Sequence, residues 1–527
     1  MRLALKFALK LALVALLPLI SPVARAETVL RIAPGSDGSS FDPMGPAATQ
    51  TYIQGLVVYD TLFAPDEDLN VRPQMVGAEN ISADHLTYRL TLRPGLLFHD
   101  GGKVTASDVA ASLKRWMGLD IVGRTMAADT ASIDAVDTDT VVLVMKRPFP
   151  VEQALANSGS GLPVIMREKE ALAGRFTAQT EIIGSGPFRF VPSAYKPGDH
   201  IIYERFSGYV PRTEPANGLA GGKIAKVDML DFHFIPDAAT KSAALTTGEV
   251  DIVDQLPFDQ ADVLVNSKDV VVFVSSRIFN PFFLRPNSLY PPFDNARARQ
   301  ALALAVSQAD YMAVSFVRPE WGKPCHSFFV CGSPNGITDG SEPYAKPDIA
   351  RAKQLLAESG YKGEPVTLVT SHETLFIGMA ADYATEALKK IGLNIQEENS
   401  DYGTFMTRRN NKAKPSEGGW NLFITSVSGS GLYTPISNSI ADTTCGGKNF
   451  AGWACDEEAA ALRDAYIHEG DPAKQREILV KLSRRLWEVM PTVVLGQRAN
   501  LYGLRKNISG FVRSPSLVTP FWNIEKH

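Results

Sequence analysis

Val366-Thr367-Leu368-Val369-Thr370, a helical run over 376–391 and Leu393-Asn394-Ile395-Gln396-Glu397 read in succession as strand, helix and strand. That rhythm marks α/β layering, in which helices pack their apolar stripes on a sheet. The pattern continues outward in both directions. Upstream lies a helix over 296–309, with Asp294 placed to cap it and Ala298, Ala301 and Ala305 small enough for close packing. A second helix, 349–359, starts after Pro347-Asp348 and can end in a left-handed cap at Gly360. Downstream come a helix over 473–490 and a strand over 493–495.

Towards the N-terminus, strands read at 28–33, 88–92, 140–145, 188–191, 227–234, 251–254 and 270–274. A helix over 49–62 and another that Thr105 caps, with Asp108 three positions on, lie among them. Gly184-Ser185-Gly186-Pro187 reads as a tight packing turn, since no lysine follows at phosphate-loop spacing. No repeat period organises the chain.

The 527 residues are 45% hydrophobic, enough to fill more than one core. Arg2, Lys6 and Lys10, the apolar run 11–20 and the small residues Ala24 and Ala26 read as a secretory leader over 1–26. Pro18 interrupts that run, which is too short for a comfortable membrane span. No cysteine stands near the cleavage point for lipid attachment. The formal net charge is −4, or −8 once Arg2, Lys6, Lys10 and Arg25 leave with the leader. An acidic chain without a Lys/Arg block argues against nucleic acid as partner. The four cysteines form two close pairs, Cys325 with Cys331 and Cys445 with Cys455, and an oxidising compartment permits a local disulfide in each.

Several motifs carry a resemblance. Leu92-Arg93-Pro94-Gly95-Leu96-Leu97-Phe98-His99-Asp100-Gly101 is followed by Thr105-Ala106-Ser107-Asp108-Val109, Gly184-Ser185-Gly186-Pro187-Phe188, Asn295-Ala296-Arg297-Ala298-Arg299-Gln300-Ala301-Leu302 and Ala350-Arg351-Ala352-Lys353. In this order they resemble the large extracytoplasmic solute-binding proteins of peptide and nickel ABC importers, family 5. The resemblance implies an α/β, two-lobed periplasmic-binding-protein fold (type II, large cluster C-like) with an extra α/β domain inserted in the first lobe. It divides the chain into leader 1–26, first lobe 27–70, inserted domain 71–180, first lobe again 181–270, second lobe 271–495 and a first-lobe tail 496–527. It also implies a periplasmic monomer that closes on a small molecule or short peptide and meets an inner-membrane ABC permease.

The same resemblance nominates the pocket. Peptide-binding relatives carry a Trp and then an Asp, which pairs with the peptide amine, in the loop after the strand ending near Ser426. Ser426 and Gly429 fall near those two positions here. Ser428 and Ser430 continue the loop, and the hydroxyls either meet a polar solute or face solvent. Ser371, His372, Glu373 and Phe376 match another cleft-facing segment, with Glu373 a candidate to replace the missing acid. Tyr402 follows a further strand, and Phe41 and Asp42 occupy a turn that relatives bring near ligand. Trp420, flanked by apolar residues, reads as core, and Arg297 and Arg299 read as packing supports.

The missing Asp leaves two cargo classes: a short peptide or peptide-like solute, and a non-peptide solute such as a sugar derivative or an opine. No clustered ligand set for a metal is visible and no cofactor is implied. An exported hydrolase is the reading from another class, yet neither a Gly-x-Ser-x-Gly elbow nor a His-Glu-x-x-His site occurs, and no residue earns a catalytic role. A binding protein that serves a chemosensor shares every one of these sequence features.

Overall fold

The protein is described here from a computed structural model covering residues 27–36, 40–45, 47, 49–173, 182–316 and 318–527. The leader reading, 1–26, lies outside the described residues. Three main sheets organise the chain. The first is seven-stranded and mixed, in the order Val270–Val274, Leu501–Arg505, Ile252–Val253, Val29–Ala33, Met229–His233, His200–Arg205 and Phe188–Phe190. The second is six-stranded, in the order Gly322–Lys323, Val493–Arg498, Asn280–Pro286, Leu422–Ser426, Pro365–Thr370 and Asn394–Asn399. The third is antiparallel: Val76–Ile81, Thr87–Leu92, Thr140–Met145 and Thr130–Ala135. These sheets build the two-lobed α/β architecture, the third standing within the span of the expected insertion.

The strand-helix-strand stretch forms as read, with the helix running Leu375–Lys389 and the strands Pro365–Thr370 and Asn394–Asn399 parallel in the second sheet. Thr105 makes a capping box with Asp108 at the start of helix Ala106–Leu119, whose Trp116 is fully buried. The helix expected over 296–309 is instead two, Ala296–Ala305 and Gln308–Ser315, because Ser307 Oγ accepts the Asp310 amide and opens a new N-terminus. Nor does Asp294 cap the first of them. Asn295 does, accepting the Arg297 amide at 2.9 Å, while the Asp294 carbonyl accepts from Arg299.

Two signature motifs meet through one ring. His99 Nδ1 accepts from the Gly184 amide at 3.2 Å, which leaves Nε2 to donate to the Gly186 carbonyl at 3.1 Å. The turn and the Phe98-His99-Asp100 segment are thereby locked together, with burial pushing the His99 pKa down to about 4. Both cysteine pairs are disulfide-bonded, Cys325 to Cys331 and Cys445 to Cys455. Arg285, fully buried, ties the second loop to its sheet by donating to the carbonyls of Ala451, Ile440 and Pro491.

The chain crosses between the first two sheets in adjacent segments. One leads from Val270–Val274 to Asn280–Pro286, the other from Val493–Arg498 to Leu501–Arg505. They are clipped side by side: the Ser275 amide donates to the Asn500 carbonyl at 3.0 Å, and Asn500 Nδ2 to Ser275 Oγ at 3.3 Å. Paired short crossings of this kind concentrate backbone rotation in a few residues, as a hinge requires.

Candidate functional site at the hinge

Parallel strands Pro365–Thr370 and Leu422–Ser426 end on the same edge of the second sheet. Ligands in open α/β sheets bind outside such carboxyl ends. Register puts Ser426 opposite Phe282, Phe282 opposite Gly496 and Arg498 opposite Asn280, so the cluster spans three adjacent strands beside the hinge. The Arg498 guanidinium lies 4.4 Å from the centre of the Phe376 ring and 5.8 Å from that of Phe282, and the two rings are 5.6 Å apart.

Arg498 is only 7% exposed, and burial lowers its pKa to about 10. Among the described residues no carboxylate pairs with it; Nη1 reaches the Ala499 carbonyl at 3.3 Å and Nε has no acceptor. Aromatic faces return about 1–2 kcal/mol to a cation, against several kcal/mol for its desolvation. An anion placed beside the guanidinium would offset that cost. Thr370 Oγ1, Ser371 Oγ and Ser426 Oγ, at the two strand ends, are likewise buried without a hydrogen-bond partner.

A second orphan stands on the first-lobe side of the crossing. Asp254 follows Ile252–Val253 and is 1% exposed; among the described residues neither carboxylate oxygen has a hydrogen bond of ordinary geometry, although Tyr502 and the amides of Gly35 and Gln255 lie near. Burial raises its pKa to about 6. Nearby Lys241 spends its ammonium on the Pro34 carbonyl at 2.7 Å. The hinge therefore carries a buried cation with no carboxylate partner among the described residues and a buried carboxyl whose ionisation burial opposes.

The sequence-nominated residues divide. Ser371, Phe376 and Ser426 gather at the Arg498 cluster. His372 Nε2 instead sits 2.8 Å from Glu397 Oε1 on the surface, and Glu373 accepts from the Tyr402 amide, with Tyr402 exposed. Phe41 packs on Phe190 and Tyr195, while Asp42 pairs with Arg115 and accepts the Met44 amide. Ser428 Oγ and Ser430 Oγ are 2.9 Å apart, and the Leu517 amide donates to Ser428.

The Gly429 amide donates to Asn280 Oδ1, and a Cβ at Gly429 would come within 2.4 Å of the Phe279 carbonyl oxygen. An aspartate has no room there. Sequence reasoning missed Arg498, Asp254, Thr370 and Phe282. Its available signal was a charge close to an apolar run, at Arg498 closing Val493–Arg498 and at Asp254 after Ile252–Val253.

A separate shallow recess opens where Pro65, Val71, Asn157, Ser430, Tyr433 and Ser437 meet. It has no charged lining residue and none of the orphan atoms, so the chemistry favours the hinge cluster.

Comparison with known proteins gives a consistent picture. The family model described as bacterial extracellular solute-binding proteins, family 5 Middle, matches residues 70–450. A probable peptide ABC transporter periplasmic-binding protein of Sinorhizobium fredii is 33% identical over 497 residues, 93% of this chain and 92% of that protein. The fold resembles the agropinic-acid complex of the Agrobacterium tumefaciens R10 periplasmic binding protein AgaA, with TM-score 0.79, 22% identity and coverage of 95% and 99% of the two chains. It also resembles the Met-Leu complex of a dipeptide-binding protein from Pseudoalteromonas sp. SM9913, with TM-score 0.80, 18% identity and coverage of 95% and 100%.

Proposed function

The chain belongs to the bacterial extracellular solute-binding proteins of family 5, and on that premise we propose that it captures a small carboxylate-bearing solute, peptide-like in charge, for an ABC importer. Arg498 holds the carboxylate, and Asp254 takes a ligand ammonium across the hinge. Phe282 and Phe376 supply apolar walls, and Thr370, Ser371 and Ser426 supply hydroxyls. The observation that carries this reading is the buried guanidinium with no acid paired to it among the described residues. Closure brings the lobes together only as far as the solute binds the closed form better than the open one.

The sheets support a first lobe of 27–70, 181–270 and 496–527, an inserted domain of 71–180 and a second lobe of 271–495. Strands Val270–Val274 and Val493–Arg498 move the two crossings a few residues later. We further read the mature protein as a periplasmic monomer freed of residues 1–26, which presents its closed form to an inner-membrane permease. The family comprises transporter binding components, and among the described residues no helix is long and apolar enough to cross a membrane. Solute should accordingly be bound and released unchanged.

A second reading, a non-peptide acid such as an opine, is favoured by Gly429, where no acid can stand. Calorimetry with short peptides, their C-terminal amides, glutathione, agropinic acid and mannopinic acid separates the two. A free peptide that binds while its amide does not supports the first reading; an opine that binds while every peptide fails supports the second. Chemical conversion of a bound solute contradicts both.

A further inference from the structure

Away from the cleft, the first sheet brings two histidines and two aspartates together. His200 and His233 are directly paired on antiparallel strands, with rings stacked at 4.3 Å and 18°. Asp199 Oδ1 lies 3.3 Å from His200 Nε2 and 3.6 Å from His233 Nε2. The three potential ligand atoms are all within 4.8 Å of one another. Four-coordinate zinc with bonds of about 2.0–2.1 Å sets its ligand atoms about 3.3–3.4 Å apart, close to the two distances from Asp199 Oδ1.

The hydrogen bonding points the same way. His200 Nδ1 is 2.7 Å from Asp231 Oδ1, an acceptor, so Nδ1 carries the hydrogen and Nε2 faces the Asp199 oxygen. A proton or a metal ion between Nε2 and that oxygen would satisfy both at 3.3 Å. An imidazole oriented through its far nitrogen by a carboxylate is also the usual outer support of a metal ligand. All four side chains are part-exposed, so an ion has an entry path.

We propose that Asp199, His200 and His233 form a divalent-metal site, zinc being the best match, with Asp231 orienting His200 and a fourth position left to solvent. Bound metal would fasten the Lys196–His200 turn to strand Met229–His233 on the outer part of the first-lobe sheet, away from the solute cluster. The sequence hides this site because the two histidines are joined only by sheet register.

The test is zinc chloride titrated by calorimetry into the untagged, chelator-treated protein at neutral pH, with thermal unfolding followed in parallel. The wild type should take up one equivalent and melt at a higher temperature. His233→Asn should weaken binding at least 100-fold, and Asp231→Asn about 10- to 100-fold. His372→Ala, which breaks a more exposed His/Asp/Glu group, should leave that equivalent intact. Absence of saturable binding, meaning that a proton alone fills the gap, overturns the proposal. So does an equivalent that survives His233→Asn or disappears with His372→Ala.

Discussion

At the residue scale, the roles proposed for Arg498 and Asp254 trade stability for recognition. A buried charge without a partner raises the free energy of the unliganded protein, so removing it should stabilise that state while harming binding. Arg498→Gln is expected to weaken solute binding by about 30-fold or more, with Arg498→Lys recovering part of the loss, while the unliganded urea midpoint stays level or rises. A large fall in midpoint would mark Arg498 as a structural support instead.

Asp254 makes a signed pH prediction. Its folded pKa of about 6 lies above the unfolded value near 3.8, so the wild type loses stability as pH rises through that window. Asp254→Asn removes the ionisation penalty. Its advantage over wild type should be near zero at pH 4 and on the order of 3 kcal/mol at pH 7.5, measured by urea unfolding. A constant difference across that range would show that the carboxylate is not held as described.

At the element scale, the Gly184-Ser185-Gly186-Pro187 turn depends on His99 remaining neutral. Its pKa of about 4 lies below the unfolded value near 6.5, so this contribution is complete above pH 6.5 and lost as pH falls towards 4. Protonation puts a hydrogen on Nδ1, against the Gly184 amide that donates to it. His99→Gln should be less stable at pH 7.5 and flatter in its response between pH 6.5 and 4. A pH response as steep as that of the wild type would count against the ring as its source.

Elements were largely legible in the sequence and their junctions were not. Periodicity and caps located helix Ala106–Leu119 and the strands flanking Leu375–Lys389, because these signals are local. The break after Val306 was invisible because the apolar spacing runs straight through it, leaving only Ser307 to mark a new cap. Family resemblance led to Ser371, Phe376 and Ser426. It did not lead to Arg498 or Asp254, whose significance is the lack of a partner, a property that only the packed chain reveals.

At the scale of the whole molecule, the lobes meet at bare backbone and at a charged rim. A Cβ on Gly159 would lie 2.3 Å from the Gly431 Cα, so the expected inserted domain and second lobe touch there without side chains between them. Between the same two segments, Arg147 is bidentate to Asp464 at 2.9 Å, and Asp129 faces His468 at 2.8 Å. The Arg147–Asp464 pair is about half exposed and adds little stability, which suits a contact that must reopen. Gly159→Ala should therefore hold the lobes apart. In small-angle scattering its radius of gyration with solute should exceed that of liganded wild type, with the melting temperature nearly unchanged; identical radii would show that closure does not use this contact.

The most direct measurement is a crystal structure of the wild type with the solute that gives saturable heat. The account predicts closed lobes, a solute carboxylate within hydrogen-bond distance of the Arg498 guanidinium and, for an amine-bearing solute, its ammonium at Asp254. A solute bound elsewhere, with Arg498 still unpaired between Phe282 and Phe376, would contradict it.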